Sequence, residues 1–203
     1  MDGRYDNRTV DQFKFDILRG SEIEAEIALR ICVFFFQKTK QWYPLVANGI
    51  DCTGKFIPEG RGGSQDPDFR INGVPVEIMH SRPMCFKSFH IKLHKVEKCI
   101  KSNVRLAMVN GFATNSPKLC FFNSSDMVSL SERSMAQYGV TDHPGNGYNA
   151  ARVNKAALKI DVDWCKWWNL PRMIDLPTWL PETPTQVLPK SYLEIYKIAK
   201  GNI

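Results

Sequence analysis

Asp68 and Glu77 stand on either side of an Asn72-Gly73 pair, and this spacing is the most suggestive chemical feature of the chain. Asn-Gly supplies the positive φ angles of a type I′ turn, so Asp68-Phe69-Arg70-Ile71 and Val74-Pro75-Val76-Glu77-Ile78-Met79 read as a tight hairpin. A two-residue turn fixes the register: Ile71 faces Val74, Arg70 faces Pro75, Phe69 faces Val76 and Asp68 faces Glu77. Opposed residues share one sheet face with Cβ atoms roughly 4.5 to 5.5 Å apart, and two carboxylates so placed repel unless a cation lies between them. Magnesium prefers oxygen ligands, here the two carboxylates supplemented by a backbone carbonyl, that of Ile78. Such an ion readies an attacking water and stabilises charge on phosphate oxygens, which is what phosphodiester hydrolysis requires. The competing reading is that Asp68 caps a turn and Glu77 faces solvent.

The elements that position this pair follow from periodicity. Phe13, Phe15 and Ile17 alternate with polar residues and predict a short strand or extended lead-in ending at Gly20. A helix is expected over 21–38, capped by Ser21, with Glu22, Glu24 and Glu26 at the positive end of its dipole and Ile23, Ile27, Ile31 and Phe34 at helical spacing. The Gly- and Pro-rich stretch 58–67 reads as a loop feeding the hairpin. Leu93, Val96 and Ile100 predict an amphipathic helix over 92–102, with Lys92, Lys95, Lys98 and Lys101 on its other faces and free to meet phosphate. Apolar runs at 104–109 and 118–122 read as strands, and 125–137 as a helix. Helix, strands, helix, strands is the pattern of an α/β sandwich with a mixed sheet.

A chain of 203 residues, 43% of them hydrophobic, suffices for one core without covalent staples. The net charge of +6 is concentrated: residues 81–105 hold Arg82, Lys87, Lys92, Lys95, Lys98, Lys101 and Arg105 against Glu97 alone. A strip of that density favours a polyanionic partner, the alternative being a solvated helix face. The six cysteines are scattered without a CxxC pair, which argues against a zinc knuckle or redox dithiol and for reduced thiols in a cytoplasmic setting. With neither a secretory signal nor an apolar run of about 18 residues, a soluble protein without a membrane partner is expected. No GxSxG, Walker A or GxGxxG element occurs, and His80, His90 and His94 lack the HExxH arrangement of a zincin. Gly145-Asn146-Gly147-Tyr148-Asn149 followed by Arg152, Lys155 and Lys159 reads as a turn before a surface helix or, with a partner, a grip on DNA backbone. Trp164, Trp167, Trp168 and Trp179 are expected to pack rather than to stack on bases, and 191–200 to form a surface helix or dimer contact.

Gly63-Ser64-Gln65-Asp66-Pro67-Asp68, then Val76-Glu77-Ile78 and the basic helix, resembles the PD-(D/E)XK nucleases. Within them the likeness is to the archaeal Holliday-junction resolvases and their phage and restriction-type relatives, over residues 20–110. The resemblance implies a restriction-endonuclease-like mixed β-sheet flanked by helices over 1–125, with a helical or irregular extension over 126–203 packed on it. It implies magnesium, replaceable by manganese, held by Asp68, Glu77, the Ile78 carbonyl and a glutamate of the first helix, Glu24, with Glu22 as the alternative. Ser64 would lie close to the scissile phosphate, and Arg82, Lys92, Lys95, Lys98, Arg152 and Lys155 would bind DNA, double-stranded or branched. A homodimer is plausible, because cutting both strands recruits two active sites. The motif's lysine should stand two residues past the glutamate, where this chain has Met79, so its role passes to Lys87, favoured over Arg82, or is lost. His80 adjoins but faces the other way by strand alternation. If the role is lost, the chain is a catalytically inactive nucleic-acid-binding module of the same fold.

Overall fold

The computed structural model describes residues 10–47, 67–142 and 156–172. Three helices, α1 (Val10–Thr39), α2 (Leu93–Lys101) and α3 (Ser124–Tyr138), accompany nine strands among these residues. The strands are β1 (Leu45–Ala47), β2 (Phe69–Ile71), β3 (Val74–Ser81), β4 (Ser88–Lys92), β5 (Arg105–Asn110), β6 (Lys118–Phe122), β7 (Thr141–Asp142), β8 (Ala156–Asp161) and β9 (Trp168–Asn169). Six form a mixed sheet in the order β1-β2-β3-β5-β6-β9, and three form a second sheet in the order β4-β8-β7. The mixed α/β class is therefore as expected.

The hairpin has the register that its turn dictates: Ile71 pairs with Val74, Arg70 with Pro75 and Phe69 with Val76. Asn72 and Gly73 take φ values of 51° and 76°, as a type I′ turn demands. In such a hairpin the closing pair carries the ladder bonds and the next pair does not, so Pro75 sits where β2 asks no N–H of it. On its other side β3 joins β5 in parallel, from Val76 onward, and again Pro75 is outside the pairing.

Alternation along β3 and β5 builds two cores. Val76, Ile78, Ala107 and Val109 face α1, whose Ala25, Ile27, Ala28, Ile31, Cys32 and Phe34 are buried against them. Leu106, Met108, Cys120 and Phe122 face the other way, toward Phe89 and Ile91 of β4, Val96 and Cys99 of α2, Met127 and Leu130 of α3, and Leu158 and Ile160 of β8. Glu77 points to this second side, which puts it under α2. An Asn123–Asp126 capping box starts α3, close to the expected boundary.

Three expectations are corrected. Residues 13–18 are helix and not strand: α1 runs unbroken from Val10 through Gly20, and Ser21 is buried within it rather than capping it. A glycine in a helix interior costs about 1 kcal/mol, which the apolar face beyond it outweighs. Second, β8 stands where a basic helix was expected; Lys159 lies on that strand, while Arg152, Lys155 and the 145–149 turn fall outside the described residues. Third, the stretch beyond residue 125 is more than a helical or irregular extension: β8 is the middle strand of the second sheet and β9 completes the first. Trp167 and Trp168 pack on the two cores as expected, Trp167 edge-on to Phe89 and Trp168 against Phe34 and Phe121. Trp164 stacks on Tyr138; Trp179 and 191–200 lie outside the described residues. The five cysteines among the described residues are free thiols.

Candidate active site

The site forms where β2 stops and β3 continues. Ladder bonds alternate along an antiparallel pair, so after Phe69 and Val76 the next bonded rung would join Pro67 to Ile78. Asp68 intercepts it: its buried carboxylate accepts the Ile78 N–H through Oδ2 at 2.7 Å. A short acidic side chain thus ends the β2 ladder and is fixed beside the strand that carries Glu77.

Glu77 is also buried, and each of its oxygens meets an ammonium from α2. Oε1 lies 2.7 Å from Lys95 Nζ and Oε2 2.6 Å from Lys98 Nζ. Three residues apart on a helix, the two lysines share the face turned toward the sheet. Lys95 Nζ donates in addition to the Ile78 carbonyl at 3.3 Å. Burial by itself would raise the Glu77 carboxyl, but Lys95 and then Lys98 hold it below the ordinary glutamate value. Burial would likewise lower Lys95, yet the carboxylates of Glu77, Asp68 and Glu24 push it above the ordinary lysine value. Glu24 comes from α1, so acidic groups from α1, the approach to β2 and β3 all act on one ammonium.

This geometry gathers most of the expected acidic set and changes the cation. The repulsion foreseen between Asp68 and Glu77 is met by a backbone N–H and two lysines. Among the described residues no three His, Cys, Asp or Glu side chains lie together as a metal cluster. Glu77 is paired with Lys95 instead, and the charges of Asp68 and Glu24 act on the same ammonium. All the donors are nonetheless hard oxygens, so the set suits magnesium in chemistry, though their present spacing is set by Lys95 and not by an ion.

Lys87 and Arg82 are exposed on the loop between β3 and β4, whereas Lys95 and Lys98, expected at phosphate, are those that reach Glu77. Lys92 ends β4 half-buried, and the exposed Lys101 pairs with Glu97 at 3.2 Å. Of the two α1 candidates it is Glu24, not Glu22, whose charge acts on Lys95. His80 lies on the α1 side beside Phe112, as alternation requires; its buried Nδ1 has no hydrogen-bond partner, and burial, then Lys95 and Arg82, lower its imidazole. His90 sits on β4 and His94 on α2, so the two share no helix face. Ser64 lies outside the described residues. The signal that could have singled out Lys95 was Met79 itself, since a missing strand lysine directs attention to cations on the next helix.

Fold and site together define an α/β domain in which a buried glutamate on the central sheet is paired with two lysines of the helix above it. Protein-family models, curated proteins and solved structures provide no match to the chain. Among the described residues no helix is long and apolar enough to cross a membrane.

Proposed function

We propose that the protein is an intracellular, metal-dependent deoxyribonuclease of the PD-(D/E)XK type, acting on double-stranded or branched DNA. The observation that carries this reading is the bonding of Lys95 Nζ by Glu77 and the Ile78 carbonyl, with the charges of Asp68 and Glu24 acting on the same ammonium. These oxygens would hold magnesium or manganese, which when bound supplies an activated water and stabilises phosphate charge. Lys95, tethered on α2, takes the role of the missing motif lysine: moved off the oxygen donors, it stays within a side chain's reach to orient water and stabilise developing charge. Asp68 stays oriented by the Ile78 N–H throughout. Arg82, Lys87 and Lys92, with Ser64, Arg152 and Lys155, are the groups proposed to meet DNA, and a second copy of the chain would cut the second strand.

One observation favours a second reading. Lys95 already neutralises the site, so the fold could serve as a nucleic-acid-binding module without chemistry. Incubation with supercoiled and branched DNA in magnesium or manganese, with melting curves in the same ions, separates the two. Metal-dependent nicks and a melting temperature raised by manganese are expected, since an ion that binds only the native state stabilises it. Binding without nicks and without a thermal shift selects the second reading. Failure to bind any DNA removes both.

A further inference from the structure

We infer that the loop between β3 and β4 presents Phe86 as a stacking platform for an unpaired nucleic-acid base. The inference rests on the nucleic-acid reading above and identifies the part of the ligand that this loop would meet. Phe86 is 85% exposed, whereas its neighbours in the sheets, Phe69, Phe89 and Phe122, are buried. Among the described residues neither core cluster includes its ring.

The loop that carries it is held from both sides. Asn110, 1% exposed at the end of β5, grips the residue before Phe86: its Oδ1 accepts the Cys85 N–H at 2.7 Å and its Nδ2 donates to the Cys85 carbonyl at 2.9 Å. The same Oδ1 accepts the Ser81 hydroxyl at 3.0 Å where the loop begins. The Lys87 carbonyl, on the other side of Phe86, accepts the Val162 N–H at 2.9 Å, and the Arg82 carbonyl accepts the Ala113 N–H at 3.0 Å. Gly111, at a φ of 74°, has no Cβ, which lets Met84 lie directly on it. The backbone around Phe86 is thus ordered before any ligand arrives, and little conformational entropy remains to be lost on binding.

Charge specifies the partner. From Arg82 to Lys92 the chain holds three Lys or Arg residues and no acidic one, with Arg82 before and Lys87 after Phe86 in the chain, both exposed. An exposed aromatic ring on an ordered backbone, with cations near it in the chain, suits a polyanion whose units carry flat rings, with the cations on phosphates and the ring on a base. A fully paired duplex hides its base faces, so the ring would act where a base is unstacked, as at a branch point, a bulge or an end.

The test compares the full-length wild type with Phe86→Ala, in magnesium-free buffer, on a fully paired duplex and on the same duplex bearing an unpaired bulge. The wild type is expected to prefer the bulged DNA. Phe86→Ala should lose about tenfold in affinity for it, the size of one base–aromatic stack, while duplex affinity and melting temperature hold. Phe86→Trp should retain the preference and show indole quenching on bulged DNA only. Equal affinity of wild type and Phe86→Ala for the bulged DNA would overturn the inference, as would an equal loss on both substrates. A concentration-dependent self-association of the wild type that Phe86→Ala abolishes would overturn it too, by assigning the ring to a second copy. If the wild type binds neither DNA, the nucleic-acid reading itself has failed.

Discussion

Glu77→Gln is expected to destabilise the protein by about 3 kcal/mol, the lower part of the range for removing one partner of a buried ion pair. The substitution keeps the shape of the side chain and leaves Lys95 and Lys98 facing a neutral amide. Asp68 and Glu24 still act on Lys95, which moderates the loss. The sign is the informative part, because two unscreened carboxylates would make the same change stabilising. Urea unfolding of the wild type, Glu77→Gln and Glu77→Gln combined with Lys98→Met measures it, and the double variant should recover part of the loss by removing one stranded ammonium. The dependence on pH follows from the two shifts. Glu77 is lowered, so its contribution is present above the ordinary glutamate value of about 4.3 and is lost as pH falls through the folded value. Lys95 is raised, so its contribution is present below the ordinary lysine value of about 10.4 and is lost as pH rises through the folded value. The difference between wild type and variant should therefore be widest from about pH 5 to pH 10 and close on either side. A variant as stable as the wild type across that window would show that the lysines do not neutralise Glu77.

What the sequence disclosed divides along the range of the interactions. The hairpin register was legible because Asn72-Gly73 sets it locally, and β5, β6, α2 and α3 were legible from apolar runs, spacing and a cap. The start of α1 was not, because Phe13, Phe15 and Ile17 imitate a strand within a span that the whole helix claims. The same kind of alternation in Phe89 and Ile91 marked a real strand, β4, and was absorbed into the approach to the basic helix. In β8 the alternation of Leu158 and Ile160 was outweighed by Arg152, Lys155 and Lys159 at near-helical intervals. At the site, both carboxylates could be found from the turn alone. Their cations could not, because a helical pattern that gives every lysine to solvent cannot show that a carboxylate beneath α2 draws Lys95 and Lys98 inward. Long lysine stems lie along apolar surface while their heads seek a partner, and that partner is 18 and 21 residues away in the chain.

Asp68→Asn is expected to lower metal-dependent DNA cleavage by on the order of a thousandfold, corresponding to about 4 kcal/mol of lost charge stabilisation. The choice of asparagine matters. Its amide oxygen can still accept the Ile78 N–H, so the end of the β2 ladder survives with a neutral bond in place of a charge-assisted one, at a cost of about 1 kcal/mol. The negative charge is what disappears, and with it one of the carboxylates that act on Lys95. DNA binding should hold or tighten, since an acidic group facing a polyanion has been removed. Single-turnover cleavage in saturating manganese, run beside a binding assay, reads both quantities. The lysines sharpen the comparison: Lys95→Met should approach the defect of Asp68→Asn, whereas Lys87→Ala, at an exposed position between β3 and β4, should stay within a few-fold of wild type. Were Lys87→Ala the severe variant and Lys95→Met the mild one, the motif lysine would belong to the loop and Lys95 would be a structural counter-ion. Were Asp68→Asn to cut at the wild-type rate, the cleavage would belong elsewhere in the chain, and Glu77 with its two lysines would serve to hold α2 against the sheet.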